Sequence, residues 1–509
     1  MTPTTSRPGT DTAPGRLRGI LVPLLQTVLV VAVALPAGIA IAPAFLGPDK
    51  PPGASASTPA WQQIPATLSE PGSDADGIRP LSDAAPVPAG AALAARLNET
   101  LKPDGAGTFT GIVQDAATGQ VLFERSADEA RIPASNMKLL TAGAALRVLG
   151  PDRRFSTRVV AGPTPGSVVL TGGGDVLLGA GESAPGAVLG RAGLATLAEA
   201  TVDALQADGA TGTVSVLLDD SLFSGPSLNQ AWSPEDVAAG EMAPLFPLAL
   251  NSARFDPAKT TGPRPQDAAM TAAEAFAARL TTAAAAAGLS VAPGVARIQP
   301  GDAADSDPGK GSDPGKGSAP AKVLAEVQSA TVGQQVDLML QTSDNYLAEV
   351  LGRMTALGDG RAGSGEDAIA AVLQQVQGMG IPTDALRAAD VSGLALANRV
   401  SARQLTDVVR AMTSGTDTRL RAALSGFPVA GLTGTLGGRY TDEASAAGAG
   451  LVRAKTGTLN TVIALSGSVV DADGRLLVFS FVGNGLTPGA ANKAALDRSA
   501  AVLAGCGCR

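Results

Sequence analysis

Three short motifs carry side chains suited to acyl transfer. Ser135–Lys138 (Ser-Asn-Met-Lys) places a hydroxyl and an amine three residues apart, so a helix would present both on one face. Ser343–Asn345 (Ser-Asp-Asn) and Lys455–Thr458 (Lys-Thr-Gly-Thr) follow later in the chain. The serine would be a nucleophile and the lysine its base, because burial and the positive end of the helix dipole both lower a lysine pKa. A lone Ser-x-x-Lys arises often by chance as a helix cap beside a surface lysine, and the three motifs together favour chemistry.

The sequence contains no histidine among its 509 residues. Imidazole is the usual base for a serine or cysteine nucleophile and a common zinc ligand. Ser-His-Asp and Cys-His catalysis and His-Glu-x-x-His metal sites are therefore excluded. An enzyme with this sequence must move its proton through another side chain, and Lys138 is the candidate. We expect neither a metal nor a cofactor.

The composition indicates a large, acidic chain. At about 100–200 residues per domain, the length predicts two to four domains. The 46 acidic and 38 basic residues give a net charge of −8, without a dense Lys/Arg cluster, which argues against a nucleic-acid partner. Cys506 and Cys508 lack the spacing of a structural zinc site and predict either a local disulfide or two free thiols.

The N-terminal segment predicts export. No residue from Ile20 to Leu46 is charged, arginines precede this run, and no Lys or Arg follows it before Lys50. The run is long enough to cross a bilayer as a helix, and its flanks place the rest of the chain outside the cytoplasm. Residues 1–46 are therefore interpreted as a signal anchor or transmembrane segment, and Ala42–Ala44 leaves cleavage as a signal peptide open. The Pro/Ala/Ser-rich residues 47–88 would be a linker.

Hydrophobic patterns predict strands at both ends of the ordered region and helices between them. The β-prone runs are Thr108–Val113, Val121–Arg125, Thr461–Val470 and Leu476–Phe481. A helix is predicted between Pro133 and Gly150, with Ser135 near its start, and another over Ala490–Ala504. The strands would form one mixed sheet assembled from sequence-distant pieces.

A tandem hexapeptide interrupts the middle of the chain. Asp307–Ser312 is followed by the same six residues at Asp313–Ser318. Its Gly-Lys-Gly-Ser lacks the spacing of a phosphate-binding loop, because Pro314 stands where the second glycine should be. Residues 301–320 are therefore interpreted as a flexible surface loop.

The order Ser-x-x-Lys, Ser-Asp-Asn, Lys-Thr-Gly is the signature of penicillin-binding proteins and serine β-lactamases. The chain resembles the class C low-molecular-mass penicillin-binding proteins, which are D-alanyl-D-alanine carboxypeptidases and endopeptidases. The resemblance covers roughly residues 89–505. It includes the segments Ile132–Gly143, Leu170–Asp175, Asp219–Pro226, Gly431–Leu436 and Ala454–Leu459.

The resemblance implies an α/β (mixed α+β) chain with a β-lactamase/transpeptidase-like fold, in which helices flank an antiparallel sheet. Members of this family carry one or two extra domains between the first two motifs, which matches the long gap from Ser135 to Ser343. The implied catalytic domain comprises residues 89–154 and 334–509. The large insert would comprise residues 155–333, including the flexible loop.

The resemblance also implies a role for each residue of the first two motifs. Ser135 would attack the carbonyl of the penultimate D-alanine and form an acyl-enzyme, with Lys138 as its general base. Ser343 would relay a proton to the leaving amine. Asn345 would orient Lys138 and the substrate amide.

The third motif would bind the terminal carboxylate of the substrate. Lys455 would hold positive potential across the cleft. Thr456, Gly457 and Thr458 are the predicted substrate-binding residues, with the two threonine hydroxyls on the carboxylate. The backbone N–H groups of Ser135 and Thr458 would form the oxyanion hole.

The sequence therefore predicts a serine carboxypeptidase/endopeptidase that hydrolyses peptidoglycan stem peptides and is acylated by β-lactams. It would lie outside the cytoplasm, anchored to the membrane by its N-terminal segment or secreted after cleavage. One alternative is a β-lactamase, disfavoured because no convincing Glu-x-x-Leu-Asn segment lies between the first two motifs. The other is a non-catalytic peptidoglycan-binding scaffold. One departure concerns specificity, since Leu396 stands where family members often carry an Arg that helps bind the stem-peptide side chain.

Overall fold

The structure is a computed structural model that describes residues 81–298, except 83, and residues 321–508. All of these residues belong to one compact unit, Pro80–Arg509. The predicted anchor and the predicted loop over 301–320 lie outside the described residues, as does most of the predicted linker. Within the described part of the chain, no helix is long and apolar enough to cross a membrane.

The described residues form twelve strands and ten α-helices. The strands are β1 (Thr108–Asp115), β2 (Val121–Arg125), β3 (Ala130–Arg131), β4 (Ser156–Ala161), β5 (Ser167–Thr171), β6 (Thr213–Asp219), β7 (Ser290–Arg297), β8 (Val323–Gln328), β9 (Val400–Ser401), β10 (Arg453–Leu459), β11 (Val462–Val470) and β12 (Leu476–Asn484). The α-helices are α1 (Gly90–Thr100), α2 (Met137–Val148), α3 (Leu194–Ala207), α4 (Pro234–Ala238), α5 (Ala268–Ala286), α6 (Val332–Thr342), α7 (Asn345–Gly358), α8 (Gly365–Gly378), α9 (Ala402–Ser414) and α10 (Ala490–Ala504). Short 3-10 segments cover Ala134–Asn136, Thr418–Gly426, Gly434–Leu436 and Ala446–Gly448.

The first sheet carries the third motif and has the strand order β10-β11-β12-β1-β2. Sequence-distant pieces meet in it as predicted, for example Thr110 on β1 opposite Val482 on β12. Every pairing is antiparallel, as the family resemblance implied. The prediction of a mixed sheet is wrong for this sheet, because short turns join β1 to β2, β10 to β11 and β11 to β12, and such hairpins pair strands antiparallel.

Helices cover both faces of the first sheet. Along β12, Val478 and Val482 belong to one hydrophobic core, whereas Leu477, Phe479 and Phe481 belong to another. This alternation follows from the two-residue period of a strand. Helix α9 packs in the first core, and α1 and α10 pack in the second. The predicted fold class, an antiparallel sheet flanked by helices, is confirmed.

Helix α2 carries the first motif and lies at the centre of the molecule. A 3-10 turn after Pro133 leads into α2, which ends just before Gly150, so the helix predicted here is confirmed. Every residue from Met137 to Leu146 is buried, including Lys138. A helix enclosed on all sides is apolar around its whole circumference, and a charged side chain inside it needs polar partners.

The second sheet has the order β7-β6-β5-β4-β8, and all of its strands lie between Ser135 and Ser343. β5, β6 and β7 run parallel, with α3 and α5 as the crossover helices, whereas β4 is antiparallel to β5 and β8. Leu197 of α3 and Phe276 of α5 lie in the core beneath this sheet. The strands fall inside the predicted insert, residues 155–333, whose bounds stay a prediction.

Helices α1 and α10 pack together. Cys506 and Cys508 form a disulfide, which decides between the two predicted states. The N–H of Ala89 donates to the carbonyl oxygen of Cys508 at 2.7 Å, just before α1 begins. The helix predicted over Ala490–Ala504 is confirmed as α10.

Candidate active site

Ser135 lies in the 3-10 turn before α2, about one turn ahead of Lys138. Ala134 has a φ of 48°, a left-handed conformation that is strained in a residue other than glycine and that recurs at functional sites. Nζ of Lys138 lies 3.1 Å from Oγ of Ser135. The start of the helix therefore holds the hydroxyl and the amine within hydrogen-bond reach, as the spacing of the motif predicts.

The amine of Lys138 is fully buried and has two further partners. Nζ donates to Oδ1 of Asn345 at 2.6 Å and to the carbonyl oxygen of Ser392 at 2.7 Å. A neutral lysine amine has two hydrogens and one lone pair. Because both hydrogens are bound, the lone pair is left for the hydroxyl of Ser135, which is the arrangement that a general base requires.

Burial lowers the pKa of Lys138 from 10.5 to about 8. The carboxylates of Asp390, Asp344, Glu349 and Glu241 act in the opposite direction, and they restore only part of the loss. With a pKa of about 8, roughly a tenth of the amine is neutral at pH 7 and about half at pH 8. A lysine in this pocket can therefore accept a proton without strongly alkaline conditions.

Ser343 contacts the second buried lysine of the site. Nζ of Lys455 donates to Oγ of Ser343 at 2.9 Å and to the carbonyl oxygen of Thr456 at 2.8 Å. Burial, together with the charge on Lys138, holds the pKa of Lys455 well below its usual value. Ser343 has a φ of 59° at the C-terminal cap of α6, so its hydroxyl is presented from a left-handed bend.

Asp344 and Asn345 start helix α7. Asp344 is the N-cap, and its Oδ1 accepts the N–H of Leu347 at 3.1 Å. Asn345 follows as the first helical residue, with its Oδ1 on Lys138 and its Nδ2 donating to the carbonyl oxygen of Glu241 at 3.1 Å. The Asp344 cap therefore fixes the first turn of α7, and with it the side-chain amide of Asn345 that contacts Lys138.

The third motif lies on β10 at the edge of the first sheet. A Cβ atom on Gly457 would lie 2.9 Å from the carbonyl oxygen of Pro133 and 3.0 Å from Cβ of Ala134. Glycine is therefore what lets this strand approach the turn that carries Ser135.

Two threonines of β10 carry hydroxyl groups near the site, and Thr456 is the buried one of the pair. Oγ1 of Thr456 lies 2.7 Å from Oγ1 of Thr435, in the 3-10 segment Gly434–Leu436. Thr458 is exposed at the same edge. An edge strand can offer backbone N–H and C=O groups to an extended peptide, so this strand is suited to hold a peptide substrate beside Ser135.

The structure thus brings the predicted site residues into two hydrogen-bonded groups. One group contains Ser135, Lys138 and Asn345, and the other contains Ser343, Lys455 and Thr456. The electrostatic effect of Lys138 on Lys455 connects the two groups. Among the described residues, no cluster of three or more His, Cys, Asp or Glu side chains could hold a metal ion.

Comparison with known proteins shows the family of this chain. The model of the D-Ala-D-Ala carboxypeptidase 3 (S13) family matches residues 93–295 and 313–504. Carboxypeptidase DacB of Mycolicibacterium smegmatis is 36% identical over 435 residues, which cover 85% of this chain and 88% of that protein. The D-alanyl-D-alanine carboxypeptidase of an Actinomadura species is 31% identical over 440 residues, covering 74% of this chain and 78% of that protein. The chain belongs to the D-Ala-D-Ala carboxypeptidase 3 (S13) family.

Solved structures show the fold of this S13 family member. Penicillin binding protein 4 from Haemophilus influenzae matches it with a TM-score of 0.62 and 19% identity, over 80% of this chain and 97% of that chain. The same protein in complex with a β-lactam matches with a TM-score of 0.55 and 20% identity. The family and fold predicted from the sequence are confirmed, and the chain is a carboxypeptidase, a hydrolase.

The motifs of this S13 carboxypeptidase did not reveal the loop that contacts the amine of Lys138. The carbonyl group of Ser392 belongs to a loop folded around the buried carboxylate of Asp390. This carboxylate accepts hydrogen bonds from the side chains of Trp232, Ser392 and Asn398 and from the N–H groups of Gly393 and Ala395. The sequence signals there were Asp-Val-Ser-Gly, a pattern typical of a turn around an aspartate, and the resemblance that placed Leu396 at a family Arg position.

Glu349 is a second residue that sequence reasoning missed. Its Oε1 accepts the N–H groups of Val391 at 3.0 Å and Ser392 at 2.8 Å, and so holds the loop against Lys138. Burial raises the pKa of Glu349 to about 7. Leu396, where the resemblance implied an Arg, follows in the same loop and is 61% exposed.

Proposed function

We propose that this S13 carboxypeptidase is a serine D-alanyl-D-alanine carboxypeptidase and endopeptidase that hydrolyses peptidoglycan stem peptides through an acyl-enzyme on Ser135. The observation that carries the proposal is the buried amine of Lys138, 3.1 Å from Oγ of Ser135, with its other contacts made to Asn345 and Ser392. The D-alanyl-D-alanine carboxypeptidase named among the relatives supports the substrate class.

Acylation follows from the two hydrogen-bonded groups. Oγ of Ser135 bonds to the carbonyl carbon of the penultimate D-alanine while its proton passes to Nζ of Lys138. The bond from that carbon to the nitrogen of the terminal D-alanine then breaks. Ser343 gives its hydroxyl proton to the leaving amine and takes a proton in turn from Nζ of Lys455, which lies 2.9 Å from its Oγ.

The oxyanion that forms during acylation needs donors beside Ser135. We assign this role to the backbone N–H groups of Ser135 and Thr458, because β10 passes close to the turn that carries the nucleophile. In other serine hydrolases a single such donor contributes about 2.7–4 kcal/mol to the stability of the transition state.

The terminal carboxylate of the substrate would bind at β10. Thr456 and Thr458 offer hydroxyl groups there. Thr435 offers a third, whose Oγ1 lies 2.7 Å from Oγ1 of Thr456. The lowered pKa of Lys455 favours its neutral form in the empty site. An arriving carboxylate favours the ammonium form, so substrate binding itself would place the positive charge on Lys455.

Water completes the reaction by attacking the acyl-enzyme. Lys138, once its first proton has passed to Lys455, takes a proton from this water and returns it to Oγ of Ser135 as the bond between Oγ and the acyl carbon breaks. A β-lactam would acylate Ser135 in the same way, through the carbonyl carbon of its four-membered ring. Its leaving nitrogen remains tethered to the acyl group after the ring opens, so it stays in the cleft and obstructs water. The acyl-enzyme would therefore be long-lived, which makes β-lactams covalent inhibitors.

A nucleophile variant tests this function. The Ser135→Ala variant is compared with wild type and with Ser425→Ala, which replaces an exposed serine outside the three motifs. Each protein is incubated with a fluorescent penicillin and with monomeric and cross-linked muropeptides, whose products are identified by mass. Only Ser135→Ala should lose both covalent labelling and D-alanine release. Labelling that survives in this variant would refute the nucleophile, and rapid turnover of the penicillin by wild type would indicate a β-lactamase.

We also propose that the chain acts outside the cytoplasm, held by residues 1–46 or released after their cleavage. The uncharged run Ile20–Leu46 behind a basic N-terminus supports this location. Cell fractionation of the full chain and of a form lacking residues 1–46 tests it. The full chain should be found in the membrane or outside the cell and the shortened form in the cytoplasm; the same location for both would refute the proposal.

A further inference from the structure

Residues 240–253, which lie between the crossover helix α3 and helix α5, contact every residue of the sequence Asp344-Asn345-Tyr346. Oγ of Ser252 donates to Oδ2 of Asp344 at 2.7 Å. Glu241 provides the carbonyl oxygen that binds the amide of Asn345 at 3.1 Å. Both contacts therefore connect the predicted insert with the second motif.

Tyr346 extends this contact into the core. Its side chain is fully buried, and its hydroxyl donates to the carbonyl oxygen of Pro244 at 3.3 Å and accepts the N–H of Phe246 at 3.2 Å. Asp344, Asn345 and Tyr346 each make a hydrogen bond to residues 240–253. The position of the second motif therefore depends on a segment that lies outside the predicted catalytic domain.

Ser252 is presented from a strained backbone. Asn251, Ser252 and Ala253 have φ values of 53°, 56° and 54°, three consecutive left-handed residues without a glycine. Each costs about 1–2 kcal/mol relative to a right-handed conformation. The N–H of Ser252 donates to the carbonyl oxygen of Val176 at 2.7 Å, and the N–H of Asn251 to that of Leu178 at 3.1 Å. Strain retained in this way is typical of segments with a functional role.

The buried side chain of Arg264 binds both ends of residues 240–253. Nε of Arg264 donates to the carbonyl oxygen of Gly240 at 2.6 Å, and its Nη1 donates to that of Ser252 at 2.6 Å. The same guanidinium lies over the ring of Tyr346, 5.8 Å from its centroid. Arg264 therefore fixes the two ends of residues 240–253 relative to each other and to α7.

We propose that Ser252 is a positioning residue for catalysis, which acts through Asp344 on the side chains of Ser343 and Asn345. This inference rests on the proposed function. Asp344 uses Oδ1 to cap α7 and Oδ2 to bind Ser252, and its neighbours in sequence bind the two buried lysines. Without the hydroxyl of Ser252, Oδ2 of Asp344 loses its hydrogen bond and keeps the longer ion-pair contact with Nη2 of Arg254 at 3.9 Å, so the start of α7 can shift. A displacement of about 1 Å in a catalytic group can lower a rate by about a hundredfold.

The experiment separates positioning from folding. Acylation by a chromogenic β-lactam is followed in stopped flow, which yields the acylation rate constant and the dissociation constant of the preceding noncovalent complex. Ser252→Ala should lower the rate constant by about tenfold or more and leave the dissociation constant nearly unchanged. Ser221→Ala is the matched control, because Oγ of Ser221 also donates to an aspartate at 2.7 Å, that of Asp219, within the predicted insert. This control should acylate like wild type.

A second variant distinguishes loss of positioning from a folding defect. Ser252→Gly removes the same hydroxyl but relieves the left-handed strain, so its melting temperature should not fall below that of Ser252→Ala. It should also acylate slowly. Wild-type acylation rates in both Ser252 variants, or an equal loss in Ser221→Ala, would overturn the positioning role while leaving the proposed function intact. A wild-type chain that β-lactams fail to acylate would overturn the proposed function and this inference with it.

Discussion

Lys138 and Lys455 are both fully buried, and the positive charge on Lys138 lowers the pKa of Lys455 beyond the effect of burial alone. Two buried ammonium groups repel each other, so the site disfavours the state in which both are charged. Proton uptake by Lys138 from Ser135 would therefore favour proton loss from Lys455, which is bonded to Ser343. In the proposed mechanism, this coupling would direct a proton through Ser343 toward the leaving amine during acylation.

The first prediction concerns the pH dependence of acylation. Lys138 acts as a base only when neutral, and its pKa lies at about 8. The acylation rate should therefore rise with pH and reach half its maximum near pH 8, whereas an ordinary lysine would require a pH above about 10. The measurement is the second-order rate constant for acylation between pH 6 and pH 10, with a β-lactam that does not titrate in this range.

Lys138→Arg is the control for this profile. Arginine keeps the positive charge but remains protonated at these pH values, so it cannot accept the proton of Ser135. General base catalysis typically contributes about 10²–10⁴-fold, and the variant should lose at least that much at every pH. A profile that is flat across pH 8, or an Arg variant that acylates like wild type, would show that Lys138 is not the base.

The second prediction concerns Gly393, which lies against the turn that carries the nucleophile. Its φ is +87°, and a Cβ atom there would overlap the carbonyl oxygen of Ala134 and lie 2.9 Å from Cβ of Met137. Gly393→Ala should therefore destabilise the protein and move the neighbouring Ser392 carbonyl away from Lys138. Unfolding in urea and the rate of β-lactam acylation measure the two effects.

Gly474→Ala separates the steric effect from the backbone effect. Gly474 has a φ of +85°, but a Cβ atom there would meet nothing within 4 Å. This control should lose about 1–2 kcal/mol of unfolding free energy from the left-handed backbone alone and acylate normally. Gly393→Ala should lose about 1–3 kcal/mol more, because its new methyl group overlaps the turn. Equal losses in the two variants would contradict the close approach.

The sequence predicted the parts of the site that depend on local spacing. Ser135 and Lys138 are three residues apart on one helix, so their proximity follows from helical geometry, and the turn signals around Pro133 and Gly150 bounded that helix. The strands near Thr108–Val113 and Val121–Arg125 and the C-terminal helix Ala490–Ala504 were likewise predicted from local patterns. The mixed sheet was predicted wrongly, because strand direction depends on which distant strands pair, and the local pattern of a strand does not specify its partners.

The remaining site residues act through contacts that spacing does not encode. Lys138 binds a backbone carbonyl, that of Ser392, and any residue type can supply such a group. Glu349 and Ser252 hold site residues from elsewhere in the fold, at contacts of 2.8 Å and 2.7 Å that only the tertiary structure creates. Their residue types are common on any helix or loop, so a single sequence offers no reason to select them.

The third prediction links Glu349 to stability. Its pKa in the folded protein is about 7, above the usual value of 4.5, because the carboxyl group is buried. The folded state therefore binds this proton more tightly than the unfolded state. The contribution of Glu349 to stability is highest below about pH 4.5, falls as the pH rises to about 7, and then stays constant. A shift of this size corresponds to about 3 kcal/mol.

Glu349→Gln tests the pH dependence of this stability contribution. It also tests the electrostatic effect of Glu349 on Lys138. The amide oxygen of glutamine can still accept the N–H groups of Val391 and Ser392, but it carries no charge to bury. The stability of the variant relative to wild type should therefore be greater at pH 8 than at pH 5, as measured by urea unfolding. The exposed Glu366 supplies the control, since Glu366→Gln should change stability little at either pH.

Because the charge of Glu349 raises the pKa of Lys138, its removal should also shift the acylation profile to lower pH. Equal stability differences at pH 5 and pH 8 would contradict a raised pKa of Glu349, and an unshifted profile would show that its charge does not act on Lys138.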